Sequence, residues 1–220
     1  MKKFSALIGT VLILLFAASV PALAEQMRLT SDTLDYDPST GIVKASGNVN
    51  VLGRGAEITS RFGEFDAGGK RSHLWDEVMA NWTEGGMTME CADLVILEEP
   101  GGQHLTARSV KKFSDSLRKL TMRSGLMEGT LRGKEFSELV ATGDVVADAV
   151  LSGGEPTRMT GTKAVYSKAK GTLIFSGSAS ATQKDRKITA ETFIIHLESG
   201  RIEAIGNPRM VVDLPAGEGK

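Results

Sequence analysis

A phrase that recurs at a fixed offset constrains this chain more than any single residue does. Leu29-Thr30-Ser31-Asp32, Ile58-Thr59-Ser60-Arg61 and Ile188-Thr189-Ala190-Glu191 share the form apolar-Thr-small-polar. Two clean copies, Leu29 to Val51 and Ile188 to Val212, continue through Tyr36 or Ile195, a turn glycine (Gly41 or Gly200) and a Gly-Asn pair (Gly47-Asn48 or Gly206-Asn207). A third, Met159 to Ala181, carries Tyr166, Gly171 and Gly177. The threonine stands 17 residues ahead of the second glycine in all three: Thr30 and Gly47, Thr160 and Gly177, Thr189 and Gly206. Self-similarity at a fixed period is the mark of stacked supersecondary units, and a stack offers a long surface rather than one catalytic pocket.

The units are built of strands. Glycine is abundant, with 25 residues, and it recurs at turns between β-branched stretches. Asp37-Pro38-Ser39-Thr40-Gly41 is a turn in which Pro38 fixes φ and Gly41 can take a positive one. Ala67-Gly68-Gly69-Lys70, Glu99-Pro100-Gly101-Gly102 and Ser152-Gly153-Gly154-Glu155-Pro156 are equivalent breaks. Degenerate copies fill the middle from Ile58, Met87 and Leu120, which makes six units of two to three strands each. Segment 114–140 matches least well: Leu117, Leu120 and Met127 fit a helix, whereas Gly125, Gly129 and Gly133 argue against one.

The first 24 residues read as an export signal. Lys2 and Lys3 precede an apolar stretch from Ala6 to Val20, and Ala22-Leu23-Ala24 is a small-x-small cleavage site. The stretch is shorter than the roughly 20 residues that span a bilayer, so cleavage is favoured over anchoring. Residues 25–214 then form the β region, as one domain or two repeat halves, and 215–220 a frayed tail. The whole-chain charge of −1 excludes a polyanion binder driven by bulk charge. Cys91 is the one cysteine, so no internal disulfide forms, and it reads as a small buried hydrophobe.

The common catalytic patterns are absent. There is no G-x-S-x-G and no P-loop, and His73, His104 and His196 are dispersed, which argues against a zinc site. The acidic pairs Asp35 with Asp37, Glu98 with Glu99 and Asp144 with Asp148 could serve glycoside hydrolysis, yet the first two sit at turns, where carboxylates are solvated or bonded to backbone. The basic run Lys111, Lys112, Arg118, Lys119 and Arg123 reads as a solvated face or as a phosphate-contacting rim. On the second reading Lys111, Lys112 and Arg118 make the contacts. Trp75 and Trp82 are expected in the core.

Leu29-Thr30-Ser31-Asp32, Tyr36-Asp37-Pro38, Gly41 and Ala45-Ser46-Gly47-Asn48-Val49-Asn50-Val51, echoed by Ile188-Thr189-Ala190-Glu191, Gly200 and Gly206-Asn207-Pro208, resemble the OstA-like domain of the lipopolysaccharide-transport proteins. The resemblance is strong at both ends of the chain and weak between about 100 and 140. It implies an all-β fold, a folded-over antiparallel β-jellyroll open along one side. It also implies a periplasmic bridge, without enzymatic step or cofactor, that shelters the acyl chains of lipopolysaccharide (lipid A) between the inner and outer membranes. Partners are then flanking OstA-like domains, with head-to-tail self-association through edge strands near Leu29 to Asp35 and Ile202 to Val212. The alanine-rich cleavage site favours the soluble bridge over an inner-membrane-anchored relative.

Strand alternation adds a face: Val49 and Val51 against Asn48 and Asn50, Leu94 and Ile96 against Asp93, Ile188 against Lys187 and Thr189. The expected lining of the groove is Val43, Ala45, Val49, Val51, Ile58, Phe62, Leu94, Ile96, Val145, Ile174, Phe193 and Ile195. The sequence leaves two other functions open: a secreted polysaccharide-active β-solenoid enzyme, and an envelope protein that polymerises without binding lipid.

Overall fold

A computed structural model describes residues 27–151 and 154–212. The expected leader, 1–24, and tail, 215–220, lie outside the described residues. The chain forms β1 (Arg28–Thr30), β2 (Thr33–Asp37), β3 (Ile42–Gly53), β4 (Ala56–Asp66), β5 (Arg71–Trp82), β6 (Met87–Glu99) and β7 (Gly102–Asp115). It continues through β8 (Leu120–Arg132), β9 (Glu135–Val150), β10 (Pro156–Ser167), β11 (Thr172–Gln183), β12 (Arg186–His196), β13 (Ile202–Ile205) and β14 (Arg209–Val212). One turn of 3-10 helix, Thr83–Gly85, joins β5 to β6. No helix among the described residues is long and apolar enough to cross a membrane. Segment 114–140 holds the end of β7, a turn, the whole of β8, a second turn and the start of β9, with Leu120 and Met127 in the core and Leu117 exposed on the first turn.

All fourteen strands belong to one antiparallel sheet, in which β3 to β12 follow in sequence order, each pairing with the next. β1 and β2 both pair with β3, and β13 and β14 both pair with β12, so each margin is a single strand interrupted once. Six hairpins result, and each opens on one of the recurring threonines: Thr30, Thr59, Thr88, Thr121, Thr160 and Thr189. The repeat in the sequence is the hairpin in the fold. The two margins do not pair with each other, and the sheet stays unclosed.

The Gly-Asn pairs explain how so long a sheet encloses a core. Gly47 and Asn48 take φ of +71° and +48°, Gly143 and Asp144 +79° and +48°, Gly177 and Ser178 +78° and +52°, and Gly206 and Asn207 +79° and +48°. Asp76-Glu77 and Ser109 take the same left-handed region on β5 and β7. These are β-bulges, where extra residues on one strand oppose fewer on its neighbour and the strand bends. The register shifts at Ser46/Val49, Thr59/Phe62, Glu90/Asp93, Arg123/Leu126 and Ser176/Ala179 form a row across the sheet. The sheet folds along that row, and the two leaves lay their apolar faces together. Trp82, at the end of β5, meets the Phe136 ring near the start of β9 edge-on at 6.2 Å. Phe113 meets Phe136 likewise at 5.8 Å.

Candidate functional site

The interior between the leaves is the candidate site. Its wall comes from alternate positions on every long strand: Ala45, Val49 and Val51 on β3, Leu94 and Ile96 on β6, Val145 and Ala147 on β9, Phe193 and Ile195 on β12. On β3 the bulge preserves the alternation, because two residues are inserted. On β4 it breaks: Ile58 and Ser60 face inward, and then Gly63 and Phe65 do.

Ala45, Val49, Val51, Ile58, Leu94, Ile96, Val145, Phe193 and Ile195 all point into this interior and are buried, and Val43 packs against it half-buried. Two expected positions need correction. Phe62 follows the break on β4 and lies on the outer face, stacked on Trp75 with ring centroids 5.9 Å apart. Ile174 lies between the inward Leu173 and Phe175, so it faces outward. Trp75, expected in the core, shares that outer face, while Trp82 is buried inside. The interior of this open-sided fold is filled by side chains. The leaves close on one another, and Leu74, Leu94, Phe175 and Phe193 have no exposed surface. Apolar faces left apart would forfeit both burial and dispersion contacts.

The interior reaches solvent at its two margins. Leu34 and Tyr36 stand opposite Ala45 and Val43, on the inward side of β2, yet they are 52 % and 56 % exposed because no further strand covers them. At the other margin Met210, opposite Ile188, is 59 % exposed, and Val212 beside it 43 %. An apolar lining therefore runs from margin to margin through twelve successive rungs, a span of about 50 Å at roughly 4.8 Å per strand.

The third boundary is the seam where the hairpin turns of the two leaves meet. Arg54, on the β3–β4 turn, pairs with Glu98 at the opposite rim. Glu84 pairs with Lys134 at 2.8 Å, and a β-carbon at Gly85 would collide with the Lys134 carbonyl oxygen. Arg118, on the β7–β8 turn, makes the most elaborate crossing. Its Nη1 donates to Asp115 Oδ2 at 2.6 Å and its Nη2 to Glu135 Oε2 at 3.0 Å, and the guanidinium lies over the Tyr166 ring at 5.2 Å. Lys168 Nζ reaches the same Glu135 carboxylate at 3.0 Å. Hydrogen bonds from Lys168 and Arg118 hold the Glu135 carboxyl below its usual range, and the Asp115 partnership holds the Arg118 guanidinium charged despite its partial burial. Sequence reasoning missed this cluster, since Asp115, Glu135 and Tyr166 come from three different hairpins.

The three residues expected to contact phosphate are not brought together. Lys111 and Lys112 sit at the bulge of β7, exposed on the outer face, with Lys111 3.9 Å from Glu90, whereas Arg118 is at the seam and engaged by two carboxylates. The other ionisable groups serve local structure. Asp37 accepts from the Ser39 and Thr40 hydroxyls in its own turn, bonds that lower its pKa. Asp148 pairs with Arg158, His73 with Asp93 and His196 with Glu203. Burial pushes the Cys91 thiol up to about 12, which makes it a poor nucleophile. No His, Cys, Asp and Glu cluster among the described residues is arranged to hold a metal ion.

Residues 82–201 match the family described as LptA/(LptD N-terminal domain) LPS transport protein. The chain belongs to this family. The LptA/LptD match runs from Trp82 through the whole of β12, so it takes in 114–140, the stretch where the repeat is least regular. The crystal structure of LptH, the LptA homologous periplasmic component of the conserved lipopolysaccharide transport device from Pseudomonas aeruginosa, is similar at 10 % identity. That likeness covers 86 % of this chain and 96 % of LptH, with a TM-score of 0.31. No curated protein matches.

Proposed function

We propose that this protein carries lipopolysaccharide across the periplasm, from the inner to the outer membrane, with the acyl chains of lipid A held between the two leaves and without chemical change to them. The observation that carries this reading is the apolar lining that runs uninterrupted from Leu34 and Tyr36 at one margin to Met210 and Val212 at the other, in a member of a lipopolysaccharide-transport family. Each methylene that leaves water gains about 0.8 kcal/mol, so an apolar interior suffices to hold a fatty chain. Direction and energy are supplied elsewhere. The partners are flanking domains of the same architecture, and the margins are suited to them: each offers a strand with one unpaired side and exposed apolar side chains. The first margin is net acidic, with Asp32, Asp35 and Asp37 against Arg28, while the last carries Arg209 and Glu203 beside Arg186 and Lys187 of β12, a balance that favours a head-to-tail approach.

A photoreactive amino acid at Val49 or Ile195 tests the reading, with Ile174 and Phe62 as outward controls. Lipopolysaccharide is expected to crosslink to the first pair and not to the second. Crosslinking at neither inward position, or equally at all four, overturns the assignment.

A further inference from the structure

An interior already filled by side chains can accept a fatty chain only if the leaves part. The row of bulges lets them do so: it bends every strand at one place, and the hairpin turns at the seam lie farthest from it. Beside the apolar packing of Trp82 and Phe113 on Phe136, the rims are joined by partly exposed ion pairs, Arg54 with Glu98, Glu84 with Lys134 and Arg118 with Glu135. Such pairs contribute little net stability. The rims also stand apart beside the Arg118–Glu135 pair, in a gap wider than the one between Arg54, Glu84 and Lys134. Next to Arg118, Leu117 and Val150 on one rim and Leu197 on the other line a cavity of about 500 Å³. Leu120 and Ala149 form its floor, and both belong to the buried core. Leu117 is 67 % exposed there, a large apolar side chain at the lip of the apolar interior.

We infer that fatty acyl chains enter sideways through the seam at this cavity, and that the Arg118–Glu135 contact is the catch that the rims release. The inference rests on the assignment of the interior to acyl chains and adds a route to it. Arg118 is held on its own rim by the buried Asp115, so parting the rims leaves that carboxylate paired and breaks only the bonds to Glu135 and the contact with Tyr166. A buried carboxylate stripped of its partner would resist opening far more strongly. The arrangement separates the anchor of the catch from its release.

The test uses the full chain with Glu84→Cys and Lys134→Cys, joined by a reducible bismaleimide tether across the seam; Cys91 is buried and does not compete. The probe is dansyl-labelled undecanoic acid, and its uptake is followed by stopped-flow fluorescence. Tethering is expected to slow uptake at least tenfold, and reduction of the tether to restore it. Glu135→Gln without a tether, which loosens the catch and leaves the Arg118–Asp115 pair intact, is expected to speed uptake severalfold. Equal rates with and without the tether overturn the lateral route and assign access to the open margins, leaving the acyl-chain reading intact. Absence of probe fluorescence in the untethered protein overturns the acyl-chain reading and the route with it.

Discussion

Gly47 and Asn48 show how much of the fold rests on single residues. A β-carbon at Gly47 would collide with the Asp32 carboxylate, and the Asn48 side-chain amide donates to that same carboxylate at 2.9 Å. At the far margin Gly206 lies equally close to Glu191, and Asn207 donates to Glu191 at 3.3 Å. Gly47→Ala combines a left-handed backbone with a collision, so a loss of about 1–3 kcal/mol is expected in urea unfolding. Phe193→Ala empties a fully buried position and is expected to cost roughly 3–5 kcal/mol. Ser124 behaves oppositely: its hydroxyl is buried without a partner, so Ser124→Ala is expected to be neutral or to raise stability by up to about 1 kcal/mol. The pairing of Asp or Glu with Asn is written into the repeated phrase. Its purpose is not, because the two residues stand 16 apart and meet only once the hairpin has formed.

At the level of hairpins, alternation identified most of the inward face and then failed where the bulges intervene. Counting by twos from Ile58 through Ser60 leads to Phe62, but the break on β4 makes Gly63 and Phe65 the inward residues. On β11 the run Leu173-Ile174-Phe175 is apolar throughout, so its phase is set by pairing with Ile195 and Phe193 on β12 rather than by its own sequence. The rims were illegible for another reason. Arg54 and Glu98, or Arg118 and Tyr166, belong to separate hairpins, and nothing local joins them. Their behaviour with pH follows from Glu135. A carboxyl whose folded pKa is lowered contributes stability that is present above its unfolded value and lost as the pH falls through the folded one. The seam is therefore expected to loosen in the acid range below the usual glutamate pKa, and not between pH 6 and 8. Hydrogen exchange at the turns around Arg118 and Glu135 should accelerate there before it does in the centres of β6 and β11. Molar salt at neutral pH should have the same sign of effect, smaller at the Arg118–Glu135 pair than at the more exposed Glu84–Lys134 pair, where screening acts most.

As a whole molecule the protein is an open sheet whose two margins are unpaired and bear exposed apolar side chains. Unpaired strands of this kind invite association unless something blunts them. Leu34→Lys or Met210→Lys places a charge on the inward side of a margin strand without disturbing a buried contact. Either is expected to weaken self-association tenfold or more in sedimentation equilibrium while leaving the unfolding midpoint unchanged. A margin variant that associates as strongly as the parent, with the same midpoint, would show that joining does not use these strands.

Because every hairpin carries its own fold line, the girth of this protein is decided within one unit and its reach by how many units follow one another. Thr30, Thr59 and Thr88 are spaced 29 residues apart. An inserted segment of that size, beginning with the apolar-Thr phrase and carrying its own Gly-Asn pair, should extend the molecule by about 10 Å at unchanged cross-section. Relatives that must bridge a wider gap therefore need no new architecture, only another verse of the same one.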